Sequence, residues 1–228
     1  MPAQRPVVTF DLFSALVDSR AGGAAALDEV GGSHGWRVTG EDVYDAWDAR
    51  NKEAQRTCTT WVPYRALAGR ALADTYACLG LEGDPVEDVR VLLASMPEWP
   101  LWPDVDDELP RLARSHRVGL LSNVDDDLFL STRAAVYVDP ALAMTSQRLR
   151  VYKPDAAIYH RAREALGEMV HVATSARDVR GALEAGIPVV RLRRPGHRLD
   201  PDGPRPDFET ECMADLEDLV TAAWAHAG

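Results

Sequence analysis

Three short apolar runs in this sequence each end on residues that can do chemistry. Val7-Val8-Thr9-Phe10 runs into Asp11, Arg117-Val118-Gly119-Leu120-Leu121 into Ser122 and Asn123, and Met169-Val170-His171-Val172 into a segment holding Ser175 and Asp178. A carboxylate at the end of a buried strand can face a small molecule while its backbone is held rigid. It becomes a covalent nucleophile when a neighbouring cation keeps it ionised and oriented. Ser122 and Asn123 can hydrogen-bond a bound anion, and the same pair also reads as a strand-to-helix cap; the two roles are compatible. The six histidines form no metal-spaced cluster, and His171, inside an apolar run, reads as a packed, hydrogen-bonded residue.

The elements that must position these residues alternate. A further apolar run, Ile187-Pro188-Val189-Val190, precedes Arg191. Helical patterns lie between the runs at 104–115, 125–134, 155–166 and 176–185, with Gly167 and Gly186 placed to end the last two. This alternation with short loops predicts an α/β fold: a doubly wound, Rossmann-like parallel sheet whose ligands bind beyond the carboxyl ends of the strands. The stretch after the first strand breaks the pattern, having no convincing strand. Thr39 with Glu41 and Asp42 marks a helix start, followed by Val43, Ala46, Trp47, Arg50 and Ala54 at helical spacing, and further helices are predicted over 61–79 and 85–93. The expected organisation is therefore a core made of residues 1–17 and 98–228 with an inserted all-helical cap at 18–97. The proline-rich 97–103 segment is the return crossing, and 193–206 is expected to be an irregular surface loop.

Composition narrows the function classes. The chain has 228 residues, 46% of them hydrophobic, with 25 basic and 36 acidic side chains and a net charge of −11. That balance argues against nucleic acid and anionic membrane surfaces as partners, and the cluster Arg191, Arg193, Arg194 reads as a strand end and loop. Cys58, Cys78 and Cys212 have no C-x-x-C spacing and read as reduced thiols of a cytoplasmic protein. The start Met1-Pro2-Ala3-Gln4-Arg5-Pro6 has no leader-like apolar region, and no apolar stretch is long enough to span a bilayer.

Four segments, in order, resemble the four motifs of the haloacid dehalogenase superfamily. They are Thr9-Phe10-Asp11-Leu12-Phe13-Ser14-Ala15-Leu16-Val17-Asp18, Leu120-Leu121-Ser122-Asn123, Tyr152-Lys153-Pro154-Asp155-Ala156-Ala157-Ile158-Tyr159, and Val172-Ala173-Thr174-Ser175-Ala176-Arg177-Asp178-Val179 leading to Gly181-Ala182. The resemblance implies Asp11 as nucleophile, Lys153 as the cation that orients it, and Asp178 as the late aspartate that pairs with the lysine and helps activate water. Ser122, Asn123, Tyr159, Ser175 and Phe13 are then the substrate-contacting positions. A segment of the helical insertion, Ala49-Arg50-Asn51-Lys52-Glu53-Ala54-Gln55, resembles the family's Arg-Gln-Lys element, whose arginine receives the departing halide. Arg50 also reads as an exposed helical arginine paired with a neighbour, and the sequence leaves both readings open.

Position 13 separates the reactions. Phosphatases of this superfamily resemble Asp-x-Asp, with the second aspartate as general acid; Phe13 can donate no proton, and the pattern resembles the L-2-haloacid dehalogenase branch. Thr174 stands where a magnesium-dependent phosphatase would carry an acid, so neither metal nor other cofactor is expected. The expected activity is hydrolysis of a small 2-haloacid through an aspartyl ester. The alternatives are a phosphatase working through a phospho-aspartyl intermediate and a non-hydrolytic binding or regulatory member of the fold. Ala15, Ala173 and Ser175 depart from the family's threonine, serine and asparagine, each removing or shortening a hydrogen-bonding group that would orient Asp11, Asp178 or water. The expected partner is a small-molecule substrate, and a homodimer is compatible with the pattern.

Overall fold

The strand β1 (Val7–Phe10) is apolar except for Thr9 and buried at every residue, as a strand covered on both faces must be. In the computed structural model, which describes residues 5–227, it lies at the centre of a six-stranded sheet. Met1–Gln4, on which part of the leader reading rests, and Gly228, the last residue of the expected core, lie outside the described residues. After β1 come four helices, α1 (Ser19–His34), α2 (Gly40–Arg56), α3 (Tyr64–Leu79) and α4 (Pro85–Ala94). The chain then runs through α5 (Val105–Leu112), β2 (Arg117–Ser122), α6 (Asp126–Ser131), β3 (Ala143–Thr145), α7 (Ser146–Leu149) and α8 (Ala156–Leu166). It ends with β4 (Met169–Ala173), α9 (Ala176–Glu184), β5 (Val189–Leu192), β6 (Phe208–Thr210) and α10 (Leu216–Ala227).

All pairings are parallel, in the order β3-β2-β1-β4-β5-β6. The order reverses direction at β1, so the carboxyl ends of β1, β2 and β4 border the crevice where ligands bind in such sheets. Asp11, Ser122 and the segment after Ala173 therefore converge by topology alone. The fold is the doubly wound parallel sheet that the alternation predicts.

Several elements differ from the sequence reading for physical reasons. β5 begins at Val189, because Pro188 has no N–H to give a sheet ladder; its carbonyl instead accepts from His171 N at 2.9 Å. The edge strands β3 and β6, three residues each, are too short to show a period. α1 escapes propensity reasoning because it carries Gly22, Gly23, Gly31 and Gly32. Two of these glycines admit aromatic rings: a Cβ on Gly22 would lie 2.4 Å from the Trp99 ring, and one on Gly23 2.3 Å from that of Tyr44. Close packing thus compensates for poor intrinsic propensity.

Where the chain leaves the sheet for its helical stretch and where it returns, the two crossings are bound together. Val17 and Leu101 form an antiparallel bridge, Asp18 N donates to Pro100 O at 2.9 Å, and Trp102 N donates to Leu16 O at 3.0 Å. Residues 193–206 are not a mere surface loop. Arg194 is buried, ion-paired to Asp104 at 2.8 Å and bonded to Ala15 O at 3.0 Å, so it ties this loop to the turn after Asp11. Arg191 pairs with Glu209 and Arg193 with Glu211, so the basic cluster is neutralised within the protein. Among the described residues no helix is long and apolar enough to cross a membrane.

Candidate active site

Asp11 directly follows β1, and its side chain caps the π-helical turn Leu12–Leu16. Its Oδ2 accepts from the Ser14 backbone N–H at 3.1 Å and the Ser14 hydroxyl at 2.6 Å. Its Oδ1 accepts from Lys153 Nζ at 2.8 Å and the Ser122 hydroxyl at 3.1 Å. The hydroxyl missing at Ala15 thus has its counterpart one residue earlier, in Ser14. Nothing in the four motif segments flags this, because Ser14 occupies a turn position.

Lys153 is buried, and its ammonium spends every N–H on the protein: Asp11 Oδ1, Leu121 O at 2.8 Å and Asp178 Oδ2 at 2.6 Å. Its backbone is fixed by Asn123, whose Oδ1 accepts from Lys153 N at 2.7 Å while its Nδ2 donates to Lys153 O at 3.0 Å and to Gln55 Oε1 at 2.8 Å. Asp178, in the first turn of α9, takes Lys153 and His171 on Oδ2 and the Tyr159 hydroxyl on Oδ1 at 2.8 Å. His171 lies wholly buried on β4, with Nε2 3.1 Å from Asp178 and Nδ1 3.0 Å from the Thr9 hydroxyl. A packed, hydrogen-bonded histidine is what its apolar strand implies, but its partner is a site carboxylate. Alternation on β4 could have revealed this, since residues 171 and 173 share one face. The hydroxyl absent at Ala173 is offset there by the imidazole two residues before it.

The charges follow from this contact set. Burial pushes the Asp11 carboxyl up, and Asp178 repels it. The Lys153 ammonium and hydrogen bonds from Lys153 and Ser14 outweigh both and hold it below the usual carboxylate range. Asp178 is held below that range too: burial opposes ionisation, and Lys153 and His171 overcome it by charge and hydrogen bonding. The Tyr159 phenol is pushed well above its ordinary value by burial and by Asp178, so it stays a donor.

Above this cluster opens a cavity of about 670 Å³ between the sheet end and the helical stretch. Asp11, Phe13, Ser122, Asn123, Lys153 and Ser175 line its floor, with Asp178. Phe13 stacks on Tyr64, ring centroids 6.0 Å apart, and tilts against Trp99 at 5.9 Å, forming an aromatic wall beside Asp11. Two expected contacts fall elsewhere. Arg50 does not line the cavity: on α2 the inward face is Trp47, Asn51 and Gln55, at intervals of four, and Arg50 turns aside to donate to Ala46 O at 2.8 Å. Tyr159 also does not line it, lying behind Asp178 on the buried face of α8. Thr174 donates to Leu192 O at 2.7 Å, turned toward β5. The cations that do line the cavity beside Lys153 are Arg20, Lys52 and Arg177. Arg177 is a residue to which the motif reading gives no role.

Comparison with known proteins agrees with this geometry. No protein-family model matches the chain. The (S)-2-haloacid dehalogenase 4A of Burkholderia cepacia is 28% identical over 199 residues, covering 82% of this chain and 83% of that enzyme. The L-2-haloacid dehalogenase of Xanthobacter autotrophicus superposes with a TM-score of 0.82 at 22% identity, over 96% of this chain and 99% of its own. The same enzyme with chloropropionic acid covalently bound gives 0.81 at 22% identity, with the same coverage. The chain thus shares the fold of solved L-2-haloacid dehalogenases and is similar in sequence to a curated (S)-2-haloacid dehalogenase, with a strand-end aspartate and a buried lysine between two carboxylates at the matching end of the sheet.

Proposed function

We propose that this chain hydrolyses the carbon–halogen bond of a small 2-haloacid through an ester to Asp11. The observation that carries the reading is the pairing of an ionised Asp11, gripped by Lys153, with the aromatic Phe13 at the position where a phosphatase would place its proton donor. A halide leaves carbon without protonation, whereas an alcohol leaving phosphorus needs an acid. The relatives' names point the same way.

In the first step an Asp11 oxygen attacks C2, and the carbon–halogen bond breaks with its electron pair leaving on halide. In the second, water adds to the Asp11 carbonyl carbon, and the 2-hydroxy acid departs carrying the oxygen that Asp11 supplied. Asp178 Oδ1 accepts only from Tyr159 among the described residues, so a lone pair remains for that water. The Ser175 hydroxyl, also at the cavity floor, is a second group for it to meet. The helical segment 18–97 serves as a cap that closes the cavity over the substrate. A cytoplasmic location is supported by the three free thiols Cys58, Cys78 and Cys212.

Halide release and phosphate release, each assayed with and without EDTA, test the reading. Halide release that survives chelation is expected. Magnesium-dependent phosphate release from a monoester, with no halide from any 2-haloacid, would overturn it. A single turnover in ¹⁸O-water should give unlabelled product and labelled enzyme, and Asp11→Asn should abolish the reaction because an amide is a far weaker nucleophile.

A further inference from the structure

On the cavity side of α2, at intervals of four, stand Trp47, Asn51 and Gln55. Apolar side chains at these positions would suit a plain alkyl substituent, yet two of the three are amides, and both are buried. Asn51 Oδ1 has no hydrogen-bond partner among the described residues, while its Nδ2 donates to the Tyr64 hydroxyl at 3.2 Å. Turning the amide over would exchange an unspent acceptor for unspent donors without satisfying the group. The Tyr64 hydroxyl donates to no described residue, and burial pushes its phenol up, so the proton stays available. Gln55 spends Oε1 on Asn123 and Arg177, which fixes the orientation of its amide and leaves Nε2 without a partner among the described residues.

A buried polar atom without a partner costs stability, and natural proteins keep few of them. Here the unspent groups belong to residues that line a cavity of about 670 Å³, ample for more than a three-carbon acid. Tyr64 is stacked on Phe13, so the set adjoins the aromatic wall beside Asp11. The charged residues that α2 brings to the cavity are already paired, Glu41 and Asp45 with Arg20 and Asp48 with Lys52. What remains for an occupant to meet on this face is neutral, with an acceptor at Asn51 and donors at Tyr64 and Gln55.

We infer that Asn51, Tyr64 and Gln55 are specificity-determining residues that select a substrate whose C2 side chain ends in a neutral group both donating and accepting hydrogen bonds, a carboxamide being the simplest. The inference rests on the 2-haloacid reading above and deepens it. The carboxamide N–H meets Asn51 Oδ1, and its oxygen accepts from Tyr64 and Gln55. A carboxylate in the same place would set its oxygen against that of Asn51.

The test compares halide release from 2-chloro-3-carbamoylpropanoate with that from 2-chloro-4-methylpentanoate, in which an isopropyl group of the same shape replaces the carboxamide. Wild type is expected to favour the carboxamide by about 100-fold in kcat/KM, because a site built for hydrogen bonds strongly rejects the analogue that lacks them. Asn51→Leu, close in volume, should cut this ratio at least about tenfold, by loss on the carboxamide and gain on the isopropyl compound, and Tyr64→Phe should shift it the same way. Both substrates meet the same variant, so a partly unfolded preparation leaves the ratio unchanged. Equal rates, a preference for the isopropyl compound or for 2-chlorobutanedioate, or a ratio unmoved in both variants would overturn the inference. Calorimetry with the corresponding 2-hydroxy acids separates it from the reaction. If no halide is released but the hydroxy carboxamide acid binds more tightly than its isopropyl counterpart, and Asn51→Leu removes that difference, the dehalogenase reading fails and the recognition stands. If halide is released from the isopropyl compound at least as well, the dehalogenase reading stands and the inference falls. A protein that binds neither acid and releases no halide defeats both.

Discussion

Lys153 is the residue on which the site's electrostatics turn, since it sits between two buried carboxylates at 2.8 and 2.6 Å. Removing it leaves the buried carboxylates of Asp11 and Asp178 without the cation between them. Loss of one partner from a buried ionic cluster typically costs about 3–5 kcal/mol, because the stranded charge has no compensation. Lys153→Met is therefore expected to lose halide release and also to unfold at markedly lower urea concentration at pH 7; a midpoint equal to wild type would contradict the charge balance drawn here. The pH dependence follows from the same contacts. Both carboxyls have folded pKa values below their unfolded ones, so their contribution to stability is complete above about pH 4. It disappears only as pH falls through the depressed folded values. The acid limb of the wild-type rate profile should accordingly owe nothing to Asp11 above about pH 4. Residue types in the motifs make Asp11, Lys153 and Asp178 legible in the sequence. Arg50 is misplaced there because motif spacing does not say which face of a helix turns inward. Ser14 escapes notice because its role depends on where the turn after Asp11 directs its hydroxyl.

At the level of elements, the helical stretch is fastened to the sheet by polar contacts at strand ends. α3 has Pro63 at its N-cap, which can offer no side-chain bond. The carboxylate of Asp125, far along the chain and just beyond β2, fills that role instead: it accepts from Tyr64 N at 2.8 Å and Arg65 N at 3.1 Å. Gln55 makes the second fastening, its single Oε1 taking both Asn123 and Arg177. Asp125→Ala should lose about 1–2 kcal/mol, the usual worth of a cap, and raise KM more than it lowers kcat, since the aromatic wall at Tyr64 loses its anchor. Thermal unfolding and steady-state halide release would measure the two effects; a stability loss with unchanged KM would detach this contact from substrate binding. The central strands and the helices with polar caps can be read from the sequence because burial on both faces and capping leave local marks. α1 cannot, because its glycines make sense only beside Trp99 and Tyr44.

For the whole molecule, the proposed reaction sets a puzzle, since it assigns an anionic substrate to an acidic protein. The net charge is −11, and the cavity is lined by six carboxylates (Asp11, Asp18, Glu41, Asp45, Asp48 and Asp178) against four cations, Arg20, Lys52, Lys153 and Arg177. His197, also at the cavity, adds no balancing charge at neutral pH, because burial and Lys52 push its imidazole down. The proposed 2-haloacid anion would therefore approach against the summed field and be held only at short range, by hydrogen-bond donors at the cavity floor. Salt acts on these two parts differently. The long-range repulsion is screened over a Debye length of about 10 Å at 0.1 M, while a partly buried contact is screened far less. Raising ionic strength with a halide-free salt should thus increase kcat/KM for the acid severalfold, through faster capture, with little change in kcat. The amide of the same haloacid, carrying no charge, serves as the control and should show no such rise. A fall in kcat/KM for the acid with added salt would mean that the cavity attracts anions at long range, and that the acidic rim at Glu41, Asp45 and Asp48 is outweighed before the substrate arrives.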